Sequence, residues 1–120
     1  MGMRSTASDA LRRWADSSDQ EARDLRKEHG VAGATPIGQA PDRETVKLRG
    51  TVRTLTLMPR GGVPSLEAEL DDGTGVVVLV WLGRRRIAGI QVGRAMSVQG
   101  RIGLHDHRRV LYNPRYELMP

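Results

Sequence analysis

Three arginines stand side by side at Arg84, Arg85 and Arg86, directly after the apolar run "VVVLVWL" and Gly83. Guanidinium groups match phosphate oxygens as planar donor forks and release counterions when they bind a polyanion. Three consecutive side chains cannot share one side of a strand or helix, so such a grip needs a loop or a first helical turn. The competing reading is a solvated connector in a chain where arginine far outnumbers its two lysines, Lys27 and Lys47. Further cations fall at strand spacing. Lys47, Arg49 and Arg53 alternate along one stretch, and Arg101 joins them if the strands carrying them pair. Arg60, Arg108 and Arg109 lie at predicted strand ends. Trp81 ends the apolar run, either as a ring for base stacking beside the arginines or as a core side chain. His105 and His107 bracket Asp106 in a turn.

Other chemistries find little support. A zinc site usually takes three or four protein ligands, and the third histidine, His29, is far from the pair in sequence. Gly-x-Ser-x-Gly, Gly-x-x-x-x-Gly-Lys and His-Glu-x-x-His are all missing from the sequence. Gly73-Thr74-Gly75 sits in a hairpin rather than between a strand and a helix, so it is no dinucleotide loop. With no cysteine there is no disulfide, thiol nucleophile or thiolate metal site. The expectation is a non-enzymatic protein with no cofactor and no metal.

The charge has a layout. The net charge is +5 over 120 residues, a balance that favours polyanionic partners. Residues 1–40 are balanced. Residues 61–82 carry Glu67, Glu69, Asp71 and Asp72 and no base, whereas residues 83–116 carry eight arginines against Asp106 alone. No apolar run nears the roughly 20 residues of a membrane span. The start "MGMRSTASDALRRW" lacks an apolar signal core. A cytoplasmic setting without membrane contact is expected.

The elements that must position these groups read as follows. "SDALRRWADS" places Ala7, Ala10, Leu11 and Trp14 on one helical face. Ser18 and Glu21 have capping-box spacing, opening a second helix through "QEARDLRKEH" or continuing the first, and Gly30 is a C-terminal stop. This arm has few large apolar residues, so weak docking or fraying is expected. The Gly-, Ala- and Pro-rich stretch that follows reads as a linker, giving an arm over 1–30, a linker over 31–44 and a β domain over 45–118. In "TVKLRGTVRTLTL", Val46, Leu48, Gly50 and Val52 face inward. After Arg53 the inward series passes to Leu55 and Leu57, a one-residue slip of the kind a bulge produces, and Gly50 leaves room for a sharp bend. "MPRGGVP" reads as a turn. "SLEAELDD" turns Glu67 and Glu69 outward, Asp72-Gly73 marks a hairpin, and "TGVVVLVWL" reads as a central strand. "GRRRIAGIQVG" is a connector with room for one helical turn. "RAMSVQGRI" is a fourth strand, "GLHDH" a turn, and "RRVLYNPRYEL" a fifth strand broken at Pro114. Tyr112 and Tyr116, flanking Asn113-Pro114, are read as barrel-closing. Five strands closing into a small barrel avoid most of the open edge of a flat sheet. The order and lengths match the oligonucleotide/oligosaccharide-binding (OB) fold: mainly β, a five-stranded barrel with a short N-terminal helical arm.

The stretches "VKLRGTVRTL", "LEAELDDGTGVVVLVWLG", "VGRAMSVQGRIG" and "VLYNPRYEL" resemble the nucleic-acid-binding OB-fold family. That family includes the anticodon-binding domains of tRNA synthetases and the wedge domain of RecG-type helicases. The chain also looks like small stand-alone actinobacterial OB-fold proteins. The resemblance covers about the last two thirds. It implies binding across the second and third strands (residues 66–82), flanked by the loops at residues 58–63 and 103–107. Glu67 and Glu69 depart from that pattern by repelling phosphate on this very face. The chain has no Phe and few aromatic platforms, each worth about 1–3 kcal/mol per stacked base. The resulting expectation is a module for single-stranded or structured DNA or RNA, of low sequence specificity. Its contacts would come from Arg49, Arg53, Arg60, Trp81, Arg84, Arg85, Arg86, Arg101, His105, His107, Arg108 and Arg109. The alternative is a protein-interaction or self-association module on the same barrel, using the acidic second strand or the helical arm.

Overall fold

The computed structural model describes residues 6–120. One unbroken helix, α1 (Thr6–His29), is followed by a 3-10 turn (Ile37–Gln39). Seven strands complete the chain: β1 (Thr45–Arg60), β2 (Val63–Asp71), β3 (Val76–Leu82), β4 (Ala95–Arg101), β5 (Gly103–His105), β6 (Arg108–Tyr112) and β7 (Arg115–Leu118). They form one curled mixed sheet in the order β5-β6-β3-β2-β1-β4-β7, a half-barrel whose ladder ends at β5 and β7 rather than closing on itself. All neighbours are antiparallel except β3 and β6.

The long first strand behaves as its pattern predicts. Its first half pairs with β4 and its second half with β2, and the register slips between Val52 and Thr54, so Arg53 is the bulged residue. Gly50 lies where β1 crosses β2. A Cβ there would stand 2.7 Å from Leu70 Cγ and 3.0 Å from the Asp71 carbonyl. Past the bulge, Leu55 and Leu57 face the Ala68 and Leu66 side. They stay largely exposed because this hairpin overhangs the core.

The five expected strands are corrected to seven. The fourth breaks at Ile102, whose amide donates to Glu44 O (2.9 Å) and whose carbonyl accepts from Arg43 N (2.9 Å). Its backbone groups go to that segment, and its side chain is buried. The fifth breaks at Asn113, in a left-handed conformation (φ 49), and at Pro114, which has no N–H to give a ladder. Residues 103–105, expected within a turn, are strand β5. The tight turn is Asp106-His107 alone, and the first hairpin likewise turns on Gly61-Gly62; both pairs have positive φ. That is the geometry that suits two-residue hairpin loops. The connector after β3 contains turns but no helical turn. Its Ile87 and Ile90 are buried in the core.

The arm is one helix rather than two, so the Ser18–Glu21 spacing starts nothing. The expected apolar face points to the sheet but its outer half does not pack there: Trp14 lines an open cleft with Ala22, Leu25, Thr51 and Val52, and Leu11 and Trp14 stay 66% and 70% exposed. The C-terminal end docks instead. His29, 3% exposed, is hydrogen-bonded to Thr51 Oγ1 at 2.9 Å, and Arg26 donates to Gly73 O (3.0 Å). Gly73 has no Cβ to strike the Ala22 carbonyl, which lets the hairpin and helix meet. The helix stops before Gly30, whose amide still reaches Arg26 O (2.9 Å).

The segment read as a linker is tied down. Ile37 is fully buried and Ala40 nearly so, and Thr35 N donates to Lys47 O (2.8 Å). Asp72, the first residue of the β2–β3 turn, is the clasp. Its buried carboxylate accepts from Ile37 N (2.9 Å), Thr74 N (2.9 Å), Thr74 Oγ1 (2.6 Å) and Gly75 N (3.2 Å). The core inside the curl is aliphatic, built from Leu48, Val52, Leu70, Val77, Leu79, Met96, Val98, Ile102 and Leu111.

Candidate nucleic-acid interface

Strand alternation and register set out the outer surface of β1, β2, β3 and β6. One row runs Thr54–Glu69–Val78–Val110 and the next Thr56–Glu67–Val80–Tyr112. The β1–β2 hairpin flanks this face at one end and the Asp106-His107 turn at the other. A shallow depression of about 220 Å³ lies between them, lined by Thr54, Thr56, Met58, Glu67, Glu69, Val78 and Arg108 among others.

The electrostatics of this face differ from the expectation. Glu67 and Glu69 are not bare carboxylates repelling phosphate, because each is paired with an arginine expected to hold phosphate. Arg60 meets Glu67 at 3.0 Å. Arg108 reaches from β6 across β3 to Glu69 at 2.8 Å, which helps bury Val78. Arg53, at the bulge, is shared between Glu69 (3.9 Å) and Asp71 (3.7 Å), and Thr54 Oγ1 donates to Glu69 (2.7 Å). Three cations and three carboxylates leave this face close to neutral.

Arg84, Arg85 and Arg86 occupy an exposed loop, as three consecutive outward arginines require. The loop begins at Gly83, in a left-handed conformation (φ 74), whose amide donates to Pro64 O (2.8 Å). It therefore leaves the sheet beside the β1–β2 hairpin, near the exposed Met58, Val63 and Leu82. Among the described residues none of the three guanidinium groups has a hydrogen-bond or ion-pair partner.

The structure disperses the remaining candidates. Of the two readings of Trp81 the structure takes the core one, so Trp81 leaves the set of candidate contacts. It alternates inward with Val77 and Leu79, is 5% exposed, and meets Tyr116 edge-on at 5.9 Å. Tyr116 thus seats the inner side of β7 against β3, whereas Tyr112, expected to share a barrel-closing role, lies exposed on the outer face. Arg109 turns away from the surface and donates to Ala40 O (2.9 Å) and Gly38 O (3.0 Å), holding the segment before β1. Arg49 and Arg101 sit on the outer surface of β1 and β4, in the other half of the sheet. His105 and His107 are exposed in and beside the Asp106-His107 turn.

Two features escaped sequence reading. His105 packs edge-on against the exposed Tyr112 at 5.9 Å, the nearest thing to an aromatic platform beside this face. Arg115 joins Lys47 across Gln99. The outward alternation of "RYEL" carried that signal, but it needs the β4–β7 pairing to become a neighbourhood.

No family model matches the chain, and no curated protein does. Solved structures do. The chain is similar to part of RecG in a structure of RecG bound to a three-way DNA junction, at a TM-score of 0.59 and 18% identity, over 72% of this chain and 12% of that one. It is also similar to a chain of a replication protein A heterotrimer bound to single-stranded DNA, at a TM-score of 0.50 and 14% identity, over 75% of this chain and 68% of that one. The chain thus spans about an eighth of the RecG chain. At such identities the likeness is one of fold, and it makes this half-barrel OB-like.

Proposed function

We propose that this chain is a non-enzymatic nucleic-acid-binding module that grips the phosphate backbone of single-stranded or structured DNA or RNA with low sequence specificity, in the cytoplasm. The observation that carries the reading is the exposed Arg84–Arg86 loop, three unpaired guanidinium groups set beside a projecting hairpin. Its support is the OB-like fold, shared with proteins solved in complex with DNA, and the net charge of +5. The exposed rings are few: Tyr112, Tyr116, His105 and His107 on the sheet, and Trp14 on the arm; this argues for backbone contacts over base stacking.

The test is fluorescence anisotropy with labelled single-stranded DNA and RNA across a salt series. If the loop neutralises three phosphates, reversing Arg84, Arg85 and Arg86 to Glu lowers the slope of log K against log salt by at least about 2, at roughly 0.7 per phosphate. Unchanged affinity in that variant removes the loop from the site.

A second reading is favoured by one observation: the outer half of α1 displays Leu11 and Trp14 to solvent. An arm of that kind suits a protein partner or a second copy. Its association would be insensitive to salt and would fall with Trp14→Ala, measured by sedimentation.

A further inference from the structure

The outer surface of the other half of the sheet has a different charge pattern. Register places Lys47, Gln99 and Arg115 in one row and Arg49, Ser97 and Glu117 in the next, with Arg101 opposite Thr45 at the rim. Four cations thus share this face with one carboxylate. Among the described residues neither Lys47 nor Arg115 has a hydrogen-bond or ion-pair partner. Arg49 Nε is buried without an acceptor. Arg101 is steadied by its bond to Arg43 O (3.1 Å), which leaves its charge uncompensated. Two shallow depressions of about 300 and 280 Å³ meet on Lys47, Ser97 and Glu117. The second is bounded by the backbone turn at residues 31–34.

We infer that this β1–β4–β7 face, rather than the β2–β3 face expected of the fold, binds a stretch of phosphodiester backbone through Lys47, Arg49 and Arg115. The inference rests on the nucleic-acid reading above and assigns it a second surface. Three features select the occupant. Lys47 and Arg49 lie about 7 Å apart along the strand, and Arg115 lies two strand spacings, about 10 Å, from Lys47; this spread suits a chain of phosphates better than one ion. The outward strand residues in these rows, from Thr45 to Glu117, are polar, and Val31 and Met119 border the face only beside the turn at residues 31–34, so its centre lacks the aromatic or aliphatic anchor of a protein interface. On the β2–β3 face, by contrast, the carboxylates already occupy the arginines.

The experiment compares two variants of the full chain by anisotropy with labelled oligothymidylate over a salt series. Both pairs of substituted residues are exposed, and circular dichroism checks that each variant is folded. Lys47→Ala with Arg115→Ala is expected to lower the salt slope by about 1.4 and weaken binding about tenfold near 0.2 M salt. Arg60→Ala with Arg108→Ala is expected to leave the salt slope unchanged, because both guanidinium groups are already held by carboxylates. Binding by the wild type with the first variant unaffected overturns the inference while the nucleic-acid reading stands. So does displacement of the oligonucleotide by polyglutamate at equal charge concentration, which would make this a face for acidic polypeptides. A wild type that fails to bind any single strand or structured nucleic acid near 0.05 M salt sinks the nucleic-acid reading itself.

Discussion

Glu67→Gln with Glu69→Gln should turn the quiet face of the sheet into a binding surface. The two carboxylates hold Arg60 and Arg108 at 3.0 and 2.8 Å, while Arg53 keeps its second partner, Asp71. The double substitution therefore frees two guanidinium groups and leaves the third paired. Each freed group that takes a phosphate adds about 0.7 to the slope of log K against log salt for a single strand, so the slope steepens by about 1.4. If those contacts contribute nothing at 1 M salt, affinity rises roughly tenfold at 0.2 M and about sixtyfold at 0.05 M. The fold should tolerate the change. The guanidinium ends of the pairs are open to solvent while the carboxylates are partly buried, so each pair contributes about 1 kcal/mol. A glutamine in place of Glu69 keeps a carbonyl oxygen for the Thr54 hydroxyl, which sits 2.7 Å from the carboxylate. Anisotropy on oligothymidylate, with a thermal melt as control, measures both. A folded double variant with the wild-type affinity and slope would refute the argument that intramolecular pairing is what silences this face.

Other substitutions test the frame that positions these groups. Asp72→Asn leaves the Ile37 amide facing an NH₂ group and weakens three further bonds; it should cost about 3 kcal/mol, a fall in Tm of about 10 °C, while the half-buried Asp71→Asn should cost less than about 1 kcal/mol. Trp81→Ala should destabilise by about 3–5 kcal/mol in urea titration, whereas the solvent-facing Trp14→Ala should stay within about 0.5 kcal/mol; equal costs would mean that the two rings have been assigned to the wrong environments. His29 docks the arm in its neutral form. Burial first, with the Arg49 charge adding, holds its pKa below the ordinary value, against the opposing pull of the Glu28, Asp72 and Asp71 carboxylates. A depressed folded pKa means that the stabilisation is present above the unfolded value near 6.5 and is lost as pH falls through the lower folded value. Protection factors for amide exchange over residues 22–29, taken relative to intrinsic rates at each pH, should therefore fall in that acidic range and keep a constant value in His29→Gln, measured by mass spectrometry.

Much of the frame was legible because it rests on periodicity. The alternation in "TVKLRGTV" and the slip at Arg53 are local patterns, and the paired register repeats them. The Asp72-Gly73 turn was legible for the same reason. The split of the fourth strand was not, because it turns on one residue, Ile102, whose backbone bonds go to residues 43 and 44. Nothing in the composition of "SVQGRIGLH" announces that. The weak docking expected of the arm from its few apolar residues fits its exposed Leu11 and Trp14, but that a histidine and an arginine near the helix end would make the polar contacts was not readable. At the candidate site the residue types were readable and the pairings were not. Arg108 and Glu69 are 39 residues apart, and only the curl of the sheet brings one across β3 to the other.

The division between the two faces comes down to one strand. β1 carries outward cations along its whole length, Lys47 and Arg49 before the bulge and Arg53 and Arg60 after it. Before the bulge its neighbour is β4, which sets Gln99 and Ser97 opposite the cations. After it the neighbour is β2, which sets Glu69 and Glu67 opposite Thr54 and Thr56, within reach of Arg53 and Arg60. Cross-strand pairs of opposite charge are mutually satisfying, while a cation facing a neutral amide or hydroxyl keeps its charge for a ligand. The bulge at Arg53 is thus the boundary between spent and unspent charge. The same basic strand that looks uniform in sequence becomes, through its change of partner, one neutral surface and one cationic surface on opposite halves of the sheet.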